Sequence, residues 1–277
     1  MNYSLTTYKK ILLDTFDAFL LFCKDHGIKY VGAYGTVLGA VRHKGLIPWD
    51  DDIDVYMDRE NYEKFLSFRN DNSLNDYEIL DVENDNYYLP YAKFSNKRTS
   101  IWEVRNIECV IGVFIDVFPL DEVSDTLVSK NLHERYCDVF GRYIHSLRSI
   151  SSPDVYMHPS YLMKVLVSKF RRSRLVKEMK EIEEEFKSIS GDRLMYYRSC
   201  DKFERSLLRK CWIEDTIEIP FEHTSVCVPR DYDSYLTFVY GDYMTPPPDE
   251  KKISLHCQYY VDLCDRLSVK EIKKRLK

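Results

Sequence analysis

Residues Ala33–Met57 read AYGTVLGAVRHKGLIPWDDDIDVYM and place Asp50, Asp51, Asp52 and Asp54 within five positions. Carboxylates this close repel one another unless a cation lies among them. A solvated acidic loop is the ordinary alternative for a charge run, but hydrophobic residues on both sides fit that reading poorly. From Asp52 the pattern alternates as a strand does, with Asp52, Asp54 and Tyr56 on one face and Ile53, Val55 and Met57 on the other. Residues i and i+2 lie about 6.6 Å apart along a strand, so Asp52 and Asp54 reach one small cation together. Hard oxygen ligands of this kind suit Mg²⁺, with Mn²⁺ as the alternative. Asp50 shares their face if the strand begins early, whereas Asp51 points away and caps or pairs.

The flanks add chemistry. Gly35-Thr36 makes a tight turn into a short helix, Val37 to Arg42. Free N–H groups and the helix dipole favour anions at such a start, and Arg42, His43 and Lys44 bring positive charge to its far end. Downstream, GVFIDVFPLD (residues 112–121) carries Asp116 inside an apolar β run. A buried carboxylate is costly without a partner, so Asp116 is expected as a third acid facing a metal, a cation or a cleft. The alternative is a cap at a strand end, a task better suited to Asp121 beyond Pro119. An EF-hand loop is excluded, because Val55 stands where that loop needs glycine and Asn61 where it needs a bidentate glutamate.

Around this centre the chain reads as mixed α/β. An amphipathic helix, capped by Ser4 or Thr6, carries Tyr8, Leu12, Phe16, Phe19 and Cys23 at helical spacing and stops at Gly27. IKYVGAYG follows as a strand, and Asp58 caps a helix from about Glu60 to Phe68. YEILDV, YLPYAKF, TSIWEV and GVFIDVFPL read as strands. From about Ser124 to Leu208 the pattern is helical and charged, and a strand, a helix from about Asp231 and a proline-rich turn follow. This divides the chain into a catalytic core (1–123), a helical insertion (124–210) and a C-terminal part (211–277) packing back on the core. In the insertion, Leu162, Val165, Leu166 and Phe170 lie among Lys164, Lys169, Arg171, Arg172 and Arg174. That basic amphipathic pattern suits either an anionic bilayer or a helix packed on the domain.

The bulk composition limits the function. A chain of 277 residues, 44% hydrophobic, can bury a sizeable core. A net charge of -5 argues against a dedicated nucleic-acid binder. The eight cysteines are scattered without zinc spacing, no secretory signal opens the chain, and no apolar run approaches a membrane span. Reduced thiols in a cytoplasmic protein fit best.

Gly35-Thr36, LGAVRHKG, IPWDDDID, FIDVFPLD and the late YGDYMTPPP together resemble the LicD family, relatives of fukutin and the fukutin-related protein. The resemblance covers most of the chain. It implies a nucleotidyltransferase fold of the DNA-polymerase-β type, with a small mixed sheet and a helical insertion. It also implies Mg²⁺-dependent transfer of a phosphorylated alcohol, commonly phosphocholine from CDP-choline, to a hydroxyl of a cell-surface glycan: a lipopolysaccharide, teichoic acid or capsule precursor. By position, Asp52, Asp54 and Asp116 are then the catalytic metal ligands, and Gly35, Thr36, Arg42, His43 and Lys93 meet the donor phosphates. Tyr240 and Tyr243 of the late block shape a pocket wall, and His256 follows that block. A choline cation needs an aromatic cage, for which Trp49, Tyr56 and Trp102 are available. The implied partners are a CDP-alcohol and a glycan or lipid-linked oligosaccharide, with the enzyme in the cytoplasm, peripheral on the inner face of the membrane. The alternatives are nucleotidyl transfer leaving NMP on the acceptor, and a non-catalytic nucleotide- or glycan-binding module.

Overall fold

The computed structural model describes residues 4–148, 159–197, 202–252 and 258–277, with backbone alone for residues 148, 159–169 and 205. Helix α1 (Leu5–His26) ends where Gly27 takes a φ of 58°, and the amide of Gly27 closes the last turn. This left-handed conformation suits glycine. The aromatic face of α1 explains why it is in the core. Phe19 meets Tyr30, Phe65 and Phe94 edge-on at 5.4, 6.2 and 5.7 Å between ring centroids. Full burial of each such ring contributes roughly 1.5–3 kcal/mol.

The main sheet has the order β1 (Val31–Gly32), β2 (Asp54–Asp58), β6 (Phe114–Val123), β4 (Ala92–Asn96) and β3 (Tyr77–Leu80). β2 and β6 run parallel and their neighbours antiparallel. A parallel pair needs a long crossover, here α3 (Arg59–Ser67) and the strands up to β5 (Ser100–Trp102). β6 is buried except at Glu122, because helices α1 and α3 and the long α5 (Pro159–Lys187) all pack on it. Pro119 is tolerated in this central strand for a local reason. Pairing with β4 stops at Val117 and pairing with β7 (Arg193–Met195) begins at Asp121, so no donor is needed on that edge between them.

The sequence reading needs revision in several places. β2 starts at Asp54, which leaves Asp52 in the preceding loop. IKYVGAYG is strand only over Val31–Gly32, because Tyr34 already opens helix α2 (Tyr34–His43). Asp121 is not a cap: its carboxylate takes Arg59 Nε and Nη2 at 2.7 and 2.5 Å inside the sheet. The charged stretch after Ser124 is not helical throughout. It contains α4 (Leu127–Arg148) and α5, but then β7 and β8 (Leu207–Arg209), which extend the sheet from the far end of β6. The described half of α5 is packed through Leu175, Met179, Ile182 and Phe186. Phe170 is exposed, while the side chains of Leu162, Lys164, Val165, Leu166 and Lys169 lie outside those described.

The chain closes with α6 (Cys211–Glu214), the hairpin β9 (Thr216–Phe221) and β10 (Thr224–Pro229), and α7 (Tyr232–Tyr240) with Asp231 as its cap. β11 (Tyr260–Asp262) then pairs with β5, and α8 (Val269–Arg275) starts with a capping box of Ser268 and Glu271. No helix among the described residues is long and apolar enough to cross a membrane. Among the described residues Cys23, Cys109, Cys137, Cys211, Cys227 and Cys264 form no disulfide, while Cys200 and Cys257 lie outside the described residues.

Candidate active site

Three adjacent strands bring three charged residues into one row. Asp54 of β2 is the parallel partner of Asp116 of β6, and Asp116 is the antiparallel partner of Lys93 of β4. Residues paired in register share a face, and Lys93 Nζ lies 2.6 Å from Asp116 Oδ1 in a buried ion pair. Asp52 reaches the row from the loop: one carboxylate oxygen from each of Asp52, Asp54 and Asp116 lies within 4.8 Å of the others. Asp50, Asp51 and Asp52 form a second, overlapping group. The pKa of Asp54 stands well above the usual carboxylate range, first through burial and then through the charges of Asp52, Asp116 and Asp50, with Lys93 acting the other way. Three acids against one ammonium leave excess negative charge on an all-oxygen donor set. That fits a hard divalent cation.

The backbone around the acids is fixed by long-range bonds. The amide of Asp54 donates to Thr36 Oγ1 at 2.7 Å, its carbonyl accepts from Ala33 N at 2.9 Å, and Asp116 N donates to Ile53 O at 2.9 Å. A Cβ at Gly35 would come within 2.7 Å of Asp50 Oδ2, so a larger residue there would displace that carboxylate. Gly35 and Thr36 lie directly against the acid cluster. The Thr36 hydroxyl is engaged with Asp54, its amide with Ala33 O, and the carboxylate of Asp50 lies over Gly35. These residues organise the acids.

Other expected residues are also placed differently. Lys93 is buried against Asp116, with Nζ 3.1 Å from the centroid of Phe114, so it is the counter-charge of the row. Arg42 donates from Nη1 to the Tyr243 carbonyl at 2.6 Å and from Nε to His43 Nε2 at 3.0 Å, which ties α2 to the YGDY block. His43 is pushed towards its neutral form by burial and by Arg42. Trp49 already has cations of the chain near its ring, Lys252 Nζ at 5.3 Å and Arg42 at 6.0 Å, and so is a poor cage wall. Trp102 is remote from the acids. It belongs to a satellite core with Leu267 and Ile272, and its indole N–H donates to the carbonyls of Val104 and Ile107. The Tyr243 hydroxyl donates to Asp233 at 2.6 Å and is pushed up to about 12 by that bond.

Tyr240 and Tyr56 do lie beside the acids. The Tyr240 hydroxyl is raised by burial, by Tyr235 and by the charges of Asp54 and Asp50. Tyr56 is buried at 5.3 Å from the Tyr34 ring. His256 lies outside the described residues.

Local sequence did not reveal three supporting residues. Lys9 of α1 donates to the carbonyls of Ile47 and Pro48 at 3.0 and 2.9 Å, and the charges of Asp50 and Asp51 act on it. Glu222, at the turn of the β9–β10 hairpin, accepts from Leu46 N at 2.8 Å, and its own amide donates to Lys44 O. The Tyr235 hydroxyl accepts from Tyr34 N at 2.9 Å. Lys9 gave the single sequence signal, as a lysine between the buried Tyr8 and Leu12.

Comparison with known proteins identifies relatives. The family described as LicD/FKTN/FKRP, nucleotidyltransferase domain, matches residues 27–158, which hold all the acids of the cluster. The chain is 28% identical over 253 residues to the lipopolysaccharide cholinephosphotransferase LicD of Haemophilus influenzae, covering 90% of this chain and 94% of that protein. It also matches uncharacterised proteins of Rickettsia prowazekii and Rickettsia typhi, each 60% identical over 30 residues, or 11% of this chain and 11% and 10% of theirs. With a match to the LicD/FKTN/FKRP nucleotidyltransferase domain spanning its acid cluster and a LicD cholinephosphotransferase aligned along nine tenths of its length, the chain carries a LicD-type domain over residues 27–158.

Proposed function

We propose that this enzyme transfers phosphocholine from CDP-choline to a hydroxyl of a cell-surface glycan such as a lipopolysaccharide precursor. The reading includes Mg²⁺ dependence, a core of the DNA-polymerase-β type, and work at the cytoplasmic face of a membrane. The observation that carries it is the convergence of Asp52, Asp54 and Asp116 on one small volume, with Lys93 as the balancing cation. The Haemophilus relative, named as a cholinephosphotransferase acting on lipopolysaccharide, supports the choice of alcohol and acceptor.

Asp52, Asp54 and Asp116 would hold the Mg²⁺. When bound, the ion neutralises phosphate charge and lowers the pKa of the attacking hydroxyl. The side chains do the rest by placement. Thr36 and Ala33 fix the backbone of Asp54, and Lys93 holds one oxygen of Asp116. Asp116 would accept the acceptor's hydroxyl proton. The acceptor oxygen forms a bond to the phosphorus bearing choline, the bond from that phosphorus to the bridging oxygen breaks, and CMP leaves with the bridging oxygen. Positioning and charge neutralisation supply most of the acceleration in such reactions.

Incubation with a panel of CDP-alcohols, Mg²⁺ and a glycan acceptor, followed by chromatography, tests the reading. CMP release with CDP-choline, lost in Asp52→Asn and Asp54→Asn variants that remain folded, is the expected result. Normal turnover in both variants would overturn it. A second reading, nucleotidyl transfer, has the same acids and the description of the matched domain in its favour. Pyrophosphate release from a nucleoside triphosphate, with NMP left on the acceptor, would identify it.

A further inference from the structure

Beside the acid row lies a cavity of about 720 Å³ whose wall includes four aromatic rings, Tyr34, Tyr56, Tyr196 and Phe238, with Lys202, Glu204 and Ser206 as its charged and hydroxyl groups. Its place relative to the acids follows from the strand. Tyr56 stands two residues after Asp54 on β2, so both project from the same face, about 6.6 Å apart along the chain. Tyr34 immediately precedes Gly35, over which the Asp50 carboxylate lies.

Three of these rings are linked through the buried Phe118, which is not itself part of the wall. Tyr34 and Tyr56 are 5.3 Å apart, Tyr34 and Phe118 5.7 Å, and Phe118 and Tyr196 5.0 Å. Tyr34 is held there against its preference. Its φ of 41° is one that bulky residues avoid, at a cost of about 1–3 kcal/mol, and the Tyr235 hydroxyl clamps its amide at 2.9 Å. Strain that the surroundings hold in place beside reacting groups points to a role for the ring.

Resting on the phosphotransferase reading above, we infer that this cavity receives the quaternary ammonium of the donor and thereby selects the alcohol. A trimethylammonium group offers no hydrogen-bond donor, so it is recognised by ring faces and a nearby negative charge. Both are present. The pKa of Glu204 lies below the ordinary carboxylate range through its bond with Lys130, 2.9 Å away, so it remains ionised at neutral pH. Lys202 gives the wall a charge of the other sign, and a phosphorylated quaternary amine carries both signs.

Two measurements test this. In the first, tetramethylammonium chloride is titrated into the metal-free wild-type protein and followed by tyrosine fluorescence, with sodium chloride as the ionic-strength control. Saturable binding, weakened about tenfold in Phe238→Ala, is expected, which is the scale of a desolvated cation–π contact. Phe238 is 44% exposed but its ring packs on the buried Trp212 at 5.3 Å between centroids, so thermal melts of the variants accompany the titration. Absence of binding to the wild type, or equal binding by the variant, overturns the proposal whatever the enzyme transfers. In the second, the ratio of kcat/KM for CDP-choline to that for CDP-ethanolamine is compared between wild type, Phe238→Ala and Phe238→Tyr. The alanine variant should lower the ratio about tenfold and the tyrosine variant restore it. An unchanged ratio, or a rise confined to the KM of the glycan acceptor, overturns the proposal and assigns the aromatic wall to the acceptor. Failure of every CDP-alcohol to release CMP sinks the phosphotransferase reading, and the tetramethylammonium titration still decides the cavity.

Discussion

The hydroxyl of Thr36 accepts the amide hydrogen of Asp54 at 2.7 Å, so the first turn of α2 fixes the backbone of a carboxylate 18 residues away. The bond is buried. Thr36→Val keeps the shape but leaves a buried N–H unpaired, which costs about 1–3 kcal/mol. Thr36→Ser should retain the bond and most of the stability. Chemical denaturation of the three proteins, together with Mn²⁺ titration, checks this. Equal stability of the valine variant and wild type would show that the bond contributes nothing.

Lys93 and Asp116 behave as one unit. Their atoms are 2.6 Å apart with both side chains almost fully buried. Such a pair adds modest net stability when intact, but loss of one partner is severe. Lys93→Met should cost about 3–5 kcal/mol, whereas the double variant Lys93→Met/Asp116→Leu should recover part of that loss because no buried charge is left alone. A double-mutant cycle in urea measures both effects. Strict additivity would contradict the coupling.

Much of this site was legible in the chain because its signals are local. An acid in an apolar β run marked Asp116, and the clustered aspartates marked Asp52 and Asp54. The parallel register that joins them depends on a crossover of more than 50 residues from β2 to β6, which no local pattern encodes. The family resemblance implies donor-phosphate contacts for Arg42 and Lys93 by position in its motifs. The structure instead places one on the Tyr243 carbonyl and the other on Asp116, partners 201 and 23 residues away. Trp102 illustrates the same limit, since nothing in TSIWEV tells that its indole faces Leu267 and Ile272. The cavity wall was the least legible feature, because its rings come from α2, β2, the stretch after β7 and α7.

The elevated pKa of Asp54 gives the metal-free protein a definite pH response. Its native value lies above the ordinary 3.8 because of burial and the neighbouring acids. The neutral form is therefore favoured by folding. The stability that this group contributes is fully present below 3.8 and is lost as pH rises through the elevated native value. Thermal melts in EDTA, from about pH 5 to about pH 8, should show wild type losing more stability than Asp54→Asn over that range. Mg²⁺ added at the upper end should raise the wild-type Tm and leave the variant nearly unchanged. Parallel curves for the two proteins would refute the assignment.

Lys9 and Glu222 grip the acid loop from opposite sides, one from α1 and one from the β9–β10 hairpin. Lys9 holds the carbonyls of Ile47 and Pro48 just ahead of Asp50, and Glu222 holds Leu46 N. Each bond is worth about 1 kcal/mol to stability, but both fix the entry of the chain into residues 50–52. Lys9→Met should therefore lower Tm slightly while raising the Mg²⁺ concentration needed for half-maximal turnover about tenfold, a shift equivalent to roughly 1.4 kcal/mol. Glu222→Ala should act in the same direction, and Glu222→Gln, which keeps an acceptor for Leu46 N, should restore normal metal dependence. Lys9→Arg separates charge from geometry: it keeps the positive charge near Asp50 and Asp51 but not the compact two-carbonyl contact of an ammonium. Metal-activation curves for the four variants at one donor concentration provide the check. A fall in kcat at unchanged half-saturation in all four would show that the loop is held for some purpose other than metal binding.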